Sequence, residues 1–408
     1  MEKLKRKVNT KGYAGKILII VENLPVPFDR RVWLEASTLT EEGYKVSVIS
    51  PGGKNDPKYE VLNGISLYRY SMPPPTKGFL SYLWEFTYCW LMTFFLSIKI
   101  LFKEGFDVIH ACNPPDTFFL LGAFYKVLGK KFVFDQHDLC PEVYQARFGS
   151  AKRSLLIKGL LFLEKLTYKT ANLVIATNES YKRIAAERGK VKEGDIFVVR
   201  TGPDFQRFKL LKAEPELKRG RKYMVCYLGV MGPQDGVDYL LRSVEFITGT
   251  NRRDDILFVL VGEGDSFDDL KKMSIDLGVQ KHVLFTGRIP DEELIKYLST
   301  ADVCVGPDPK NELNDKSTMN KIMEYMAMAK PVVSFDLREA RFSAQEAALY
   351  ARPNDEEDFA NKILELLKDE KRRQQMGEYG RKRIEKELAW NHTKKELIRA
   401  YEKVFSNG

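Results

Sequence analysis

The chain has 408 residues, 44% of them hydrophobic and 30% charged. That balance excludes a disordered or low-complexity protein and leaves room for two domains, each able to bury a core. The net charge of +9 sits in the first half: residues 1–200 carry 30 Lys/Arg against 20 Asp/Glu, and residues 201–408 carry 35 against 36.

A basic first half fits nucleic acid, an anionic membrane or an acidic acceptor. With no zinc-finger spacing and no RNA-binding signature, nucleic acid is not an expected partner. Cys89, Cys112, Cys140, Cys226 and Cys304 are scattered and odd in number. They read as reduced thiols of a cytosolic protein rather than a disulfide frame or a zinc site. The basic start is not followed by an apolar region with a cleavage site, so no signal peptide is expected.

In chain order, residues 16–22 (KILIIVE) read as a buried strand, 29–42 as a helix closed by Gly43, and 45–50 as a second strand. Further strands are expected at 107–110, 131–135, 173–177 and 196–200. A charged stretch at 209–222 reads as a linker, and strands resume at 223–228, 257–261, 283–286, 303–306 and 331–335. Short apolar strands alternating with helical patterns imply parallel sheets. The expected architecture is α/β: two doubly wound Rossmann-like domains, 1–205 and 206–385. A C-terminal helix, 386–408, is drawn from a long charged helical segment (371–405) and returns to the first domain.

Residues 79–102 (FLSYLWEFTYCWLMTFFLSIKILF) are the most apolar in the chain. Glu85 and Lys99 leave a charge-free run too short to favour a membrane span. A core helix and an interfacial helix both remain open; Trp84, Tyr88 and Trp90 suit an interface. Residues 151–169 interleave leucines with basic residues and suit either an amphipathic surface helix or anionic lipid.

Three glycine-bearing turns follow strands of the second half: Gly229–Gly236, Gly262-Glu263-Gly264 and Gly287-Arg288-Ile289. Such turns let backbone amides approach a phosphate or sugar. None fits G-x-G-x-x-G, and no P-loop is present, so a nicotinamide, flavin or P-loop site is not favoured. Residues 311–327 run from a polar loop into a helix expected to start near Ser317 or Thr318, both good N-caps. Lys321 and Glu324 share one face of it, where Lys321 can meet a diphosphate and Glu324 both ribose hydroxyls. In the first half, Asp135-Gln136-His137-Asp138 follows a strand, and His137 stands where α/β domains present ligand groups.

These residues, in this order, resemble family 4 of the glycosyltransferases, retaining enzymes of the GT-B fold. The resemblance covers nearly the whole chain. It rests on the strand at 16–22, Phe28-Asp29-Arg30-Arg31-Val32-Trp33, Gln136-His137-Asp138, Gly229-x-x-Gly232, Val261-Gly262-Glu263-Gly264, Phe285-Thr286-Gly287, Ala301-Asp302-Val303 and Glu324-Tyr325-Met326-Ala327. It implies a nucleotide-sugar donor, UDP- or GDP-linked, held at a cleft by Gly229, Gly232, Glu263, Arg288, Ile289, Ser317, Thr318, Met319, Asn320, Lys321 and Glu324. It implies an acceptor, lipid-linked or glycan, met by Asp29, Arg30, Asn113, Asp116 and Asp138. Catalytic roles fall on His137 and Lys321, and neither a metal nor a further cofactor is required. The expected activity is metal-independent hexosyl transfer in surface polysaccharide or glycoconjugate assembly, at the inner face of the cell membrane.

The chain departs from the family pattern in places. The first glutamate of the usual E-x7-E is Lys316. The Lys-Gly after the first donor glycine turn is Asp235-Gly236, and the Arg two residues after Gly229 is Met231. Lys321, with Lys316, is the expected replacement cation. A glycine pair in the first loop is replaced by residues 25–31. Two other readings fit the fold: a sugar-nucleotide epimerase, which would turn over its substrate without an acceptor, and a non-catalytic partner, which would bind nucleotide and transfer nothing.

Overall fold

The computed structural model describes residues 13–53, 55–72, 79–148, 155–205 and 207–406. The basic start and the first four residues of the expected 151–169 helix lie outside these. The chain forms two compact units. One comprises Met1–Val143, Ala151–Arg200 and Thr393–Gly408; the other comprises Tyr144–Ser150 and Thr201–His392.

The first unit is built from β1 (Lys16–Ile20), α1 (Arg30–Glu41), β2 (Lys45–Gly52), β3 (Tyr59–Leu62), β4 (Ile65–Ser71), α2 (Phe79–Lys103), β5 (Val108–Cys112), α3 (Phe119–Val127), β6 (Lys131–Gln136), α4 (Cys140–Phe148), α5 (Leu155–Thr170), β7 (Leu173–Ala176), α6 (Glu179–Glu187) and β8 (Ile196–Val198). Its sheet runs β3-β4-β2-β1-β5-β6-β7-β8. Every pairing is parallel except β3 with β4. That hairpin corrects the all-parallel expectation. Asn63-Gly64 turns it with both residues at positive φ, the conformation a tight hairpin needs. Asp29 caps α1 by accepting from the Val32 amide at 3.1 Å, and Asn178 does the same for α6.

The second unit contains β9 (Tyr223–Leu228), α7 (Val237–Glu245), β10 (Ile256–Val261), α8 (Phe267–Asp276), β11 (Val283–Gly287), α9 (Asp291–Thr300), β12 (Val303–Gly306), α10 (Asn320–Ala327), β13 (Val332–Phe335), α11 (Arg338–Ala344), β14 (Ala348–Ala351), α12 (Glu356–Lys368) and α13 (Glu370–Arg383). Its sheet is wholly parallel, in the order β11-β10-β9-β12-β13-β14. Strand order reverses between β9 and β12, and between β1 and β5 in the first unit. In doubly wound sheets, ligands settle outside the carboxyl ends at such reversals.

The charged C-terminal segment is not one helix. A π-helical turn at Ile384–Leu388 closes α13, and α14 (Trp390–Ser406) starts after an extended Ala389. From Thr393 onward this last helix belongs to the first unit. There the Tyr401 hydroxyl lies 2.7 Å from His110 Nδ1, and Phe405 stacks on Tyr44 with ring centroids 5.2 Å apart.

Helix α2 has its amphipathicity reversed. Cys89, Thr93, Ser97 and Ile100 face the interior, whereas Trp84, Phe86, Leu91, Phe95 and Phe102 are exposed. An ordinary core helix shows the opposite pattern. The stretch Trp84–Lys103 is long and apolar enough to cross a membrane, and only 22% of its apolar window is buried. The neighbouring α3 exposes Leu120, Phe124 and Val127, and α5 exposes Leu155, Leu156 and Phe162. An edge contact between Phe94 and Phe124 joins α2 to α3, and Lys126 Nζ donating to the Thr170 carbonyl at 2.8 Å joins α3 to α5.

The docking of α14 can be tested by truncation. Tyr401 is fully buried, so Tyr401→Ala should destabilise the first unit by about 3–5 kcal/mol in chemical denaturation. Tyr401→Phe, which loses only the hydrogen bond, should cost about 1 kcal/mol.

Candidate functional site

In the second unit the three glycine turns lie side by side at the carboxyl ends of β9, β10 and β11. The Gly262 amide donates to the Gly287 carbonyl, Gly229 N to Val261 O and Met231 N to Glu263 O, each at 3.0 Å. The close approach requires glycine: a Cβ on Gly262, whose φ is +135°, would meet the Gly229 carbonyl oxygen at 1.9 Å. Gly236, at φ +70°, is pinned in the same way against the Pro307 carbonyl at 2.1 Å, which ties the loop after β9 to the loop after β12.

Across that strand reversal stands Lys321, on the first turn of α10. Its ammonium lies 2.7 Å from Asp308 Oδ1, 3.9 Å from Asp235 Oδ1 and 4.9 Å from the centre of the Tyr227 ring. Burial lowers its pKa, but Asp308, Tyr227 and Asp235 together raise it above the usual lysine range, so Lys321 stays charged. Burial pushes Asp235 up to about 6, against the pull of Lys321. The other Asp235 oxygen accepts from the Gly232 amide at 3.0 Å. One turn further along α10, burial raises Glu324 to about 7 while Arg207 opposes it, with its guanidinium 3.3 Å away. Arg207 also pairs with Asp291 at 2.6 Å.

In the first unit the carboxyl end of β6 carries Asp135, wholly buried, between two histidines and an arginine. The Arg31 guanidinium donates to both of its oxygens, at 3.1 and 2.7 Å, and to the Val199 carbonyl at 2.7 Å. His137 Nε2 lies 2.5 Å from Asp135 Oδ2, and His110 Nε2 lies 3.3 Å from the same oxygen. Glu35 sits 3.0 Å from Arg31. Burial disfavours the Asp135 carboxylate, but Arg31 and His137 hold it well below the ordinary range. Burial raises Glu35 well above that range despite Arg31, and lowers His110. Arg31 and Asp135 are therefore the formal charge pair, with Glu35 and His110 favoured neutral. His110, Cys112 and Asp135 are spaced to reach one metal ion. Both Asp135 oxygens, however, already accept from Arg31.

The expected site residues fall into three groups. Gly229, Gly232, Lys321 and Glu324 share one end of the second unit, with Asn320 opening α10 and Glu263 and Arg288 exposed on the adjoining turns. Ile289 and Met319 pack partly against the core. Ser317 and Thr318 do not cap α10. Its N-cap is Met319, because the Ser317 hydroxyl turns back to donate to the Leu313 carbonyl at 2.9 Å. Lys316 pairs with Glu312 at 2.8 Å rather than joining Lys321. In the first unit, Asp29 is buried as the α1 cap while Arg30 is exposed. Asn113 is almost wholly buried; its Oδ1 accepts from the amides of His137 and Asp138 and its Nδ2 donates to Asp116. Asn113 thus shapes the His137 loop from within. Burial raises Asp116 to about 6.

The residues that the sequence pattern did not single out are Glu35, His110, Arg207, Asp308 and Tyr401. His110 inside the apolar run VIHAC and Asp308 just after VCVG are polar groups in buried-strand surroundings, and that signal could have found them. Breaking the buried pair from one side leaves an unmatched charge, so Asp135→Asn should cost about 3–5 kcal/mol. The loss should appear in urea titrations at pH 7. It should shrink as pH falls below about 4, where the carboxylate of the unfolded chain is already protonated.

The "Glycosyltransferase Family 4" model matches residues 29–207, and the "Glycosyl transferases group 1" model matches residues 209–383. An uncharacterized glycosyltransferase of Methanocaldococcus jannaschii is 24% identical over 378 residues, 90% of this chain and 91% of the relative. The UDP-Gal:α-D-GlcNAc-diphosphoundecaprenol α-1,3-galactosyltransferase of Escherichia coli is 25% identical over 216 residues, 51% of this chain and 54% of the relative. The structure of Anabaena HepE in complex with UDP-glucose shares the fold, with a TM-score of 0.70 at 15% identity over 95% of this chain and all of that one. The chain belongs to the family 4 glycosyltransferases, and its two parallel-sheet units have the GT-B fold.

Proposed function

We propose that the chain moves a hexose from a UDP- or GDP-linked donor, with retention of anomeric configuration, onto a lipid-linked acceptor in surface glycan assembly. The observation that carries the donor half is the assembly at the β9/β12 reversal: three interlocked glycine turns, the N-terminus of α10, Lys321 and Glu324. Glycine turns and a helix start offer amides to a diphosphate. Glu324, one turn inside α10, has a carboxylate suited to a pair of ribose hydroxyls. The likeness to a fold holding UDP-glucose supports this reading.

Transfer from a sugar diphosphate passes through an oxocarbenium-like state as negative charge gathers on the leaving group. Catalysis then depends on stabilising that charge and placing the acceptor. Lys321, the Gly232 amide and the start of α10 perform the first task. Within the first unit, His137 commits Nε2 to Asp135 and has Nδ1 left for a ligand hydroxyl. Among the described residues, the carboxylates at this end already have roles, Glu324 toward the ribose and Asp235 and Asp308 toward Lys321, which favours attack on the same face as departure.

The acceptor half rests on the apolar surface of α2, α3 and α5. Lys99, Lys103, Lys126, Lys158, Lys165 and Lys169 accompany the exposed aromatic and aliphatic side chains on these helices. Each basic group near an anionic bilayer adds about 1 kcal/mol, screened within a Debye length. The reading is peripheral attachment to the cytoplasmic face of a membrane, with the acceptor lipid in the same bilayer. The E. coli relative, whose name specifies a diphosphoundecaprenol acceptor, supports it.

The test is transfer from a panel of UDP- and GDP-sugars to a sugar-diphospholipid in anionic liposomes, with flotation of the same samples. Wild-type protein should float at low salt and transfer sugar. A Phe95→Ser/Phe162→Ser variant should lose flotation and lipid-acceptor turnover while keeping donor affinity. Retained turnover on lipid without flotation would contradict the membrane reading, and absence of transfer from every donor would contradict the donor reading.

A further inference from the structure

The groups best placed to bind a diphosphate at the β9/β12 reversal are already engaged by the protein's own carboxylates. Asp235 Oδ2 takes the Gly232 amide at 3.0 Å, and its Oδ1 faces Lys321 at 3.9 Å. Asp308 takes Lys321 at 2.7 Å, while its second oxygen is buried without a hydrogen-bond partner. Two carboxylates around one ammonium leave the cluster with a net negative charge. A donor diphosphate bringing two further charges meets repulsion unless one of them is removed.

The two carboxylates are not equivalent. Asp308 is almost wholly buried against Lys321. Asp235 sits in a short 3-10 turn (Pro233–Asp235) on the loop itself and keeps 17% of its side chain exposed. The charged and titratable groups facing it are Lys321 on α10, Asp308 after β12, Tyr227 on β9 and Arg147 in the 144–150 segment of the same unit. Resting on the reading of this end of the unit as the donor subsite, we infer that Asp235 is an internal anion occupying the diphosphate position, and that donor binding displaces it in its protonated form, taking up one proton. Asp235 thereby sets the pH range over which the enzyme accepts its donor. Its ionisation near pH 6 places that range on the acid side of neutrality. No bond between heavy atoms is made or broken: a proton passes from solvent to the Asp235 carboxylate, forming its O–H bond, and Gly232 N–H and Lys321 pass to the phosphate oxygens.

Calorimetry with UDP-glucose and GDP-mannose tests this, because the phosphates of a sugar diphosphate hold no proton that titrates near neutrality, unlike the terminal phosphate of UDP. Affinity of wild-type protein for the sugar nucleotide that binds should fall up to tenfold per pH unit above about pH 6. Titrations at pH 7.5 in two buffers of different ionisation enthalpy should show uptake approaching one proton. Asp235→Asn keeps an oxygen for the Gly232 amide but no charge. It should bind with pH-independent affinity, tighter than wild type at pH 7.5 by at least tenfold. Asp235→Ser should behave alike, which separates loss of charge from loss of the cap. The titrations are repeated with EDTA and with Mg2+. Flat wild-type affinity from pH 5.5 to 8, or binding that needs Mg2+ and takes up no proton, would overturn the inference while leaving the donor reading in place. Failure of both sugar nucleotides to bind either variant or wild type at every pH would overturn both.

Discussion

A cation taken out of water must be met by oxygen partners, and in each unit a buried cation joins carboxyl-end loops through carboxylates. In the first unit the buried Arg31 draws α1, β6 and the strand end at Val199 together through Asp135, Glu35 and a carbonyl. In the second, Lys321 draws together the loops after β9 and β12. Removing one partner of a buried pair costs several kcal/mol because the other is left unmatched. The positions of His137 and of the loop after β9 thus depend on electrostatics that the sheets alone do not supply.

The two clusters differ in balance. Around Arg31 the charges close: Asp135 is held ionised, and burial drives Glu35 and His110 toward neutrality. His137 therefore inherits a fixed orientation from a neutral set, and Asn113 holds its loop by both neighbouring amides. Around Lys321 the charges do not close, since two carboxylates, Asp308 and Asp235, face one ammonium. A closed set suits a scaffold, and an open one suits a place where a charged ligand arrives.

Much of this was legible in the sequence. Buried strands stand out as short apolar runs, so the strands that carry the site, β1, β6, β9, β10 and β12, lie where the runs KILII, KFVFDQ, YMVCYL, ILFVLV and VCVG place them. The strands β3, β4 and β14 are not expected from the sequence: Tyr59–Leu62 and Ala348–Ala351 are short, partly buried edge strands, and Ile65–Ser71, though buried, mixes Ser and Arg into its run. The Asn63-Gly64 turn was the available signal. The start of α10 was placed early because Ser317 and Thr318 are good caps by type, whereas the hydroxyl of Ser317 bonds backward into its own loop. Pairings across 291 residues, such as Tyr401 with His110, leave no local pattern at all. Nor does a sequence show which face of an apolar helix is covered. The exposed apolar faces of α2 and α5 emerge only in the fold, where Cys89, Thr93 and Ser97 are buried on one helix and Ile157 and Glu164 on the other.

In the proposed function, the β9/β12 end of the second unit holds the nucleotide diphosphate. A crystal structure of the protein grown with its sugar nucleotide tests it most directly. Ribose hydroxyls should lie within hydrogen-bond distance of Glu324 and diphosphate oxygens on the Gly232 amide and Lys321, with the Asp235 side chain turned away from both. A nucleotide bound elsewhere, or bound here with Asp235 still on Gly232 and Lys321, would contradict it.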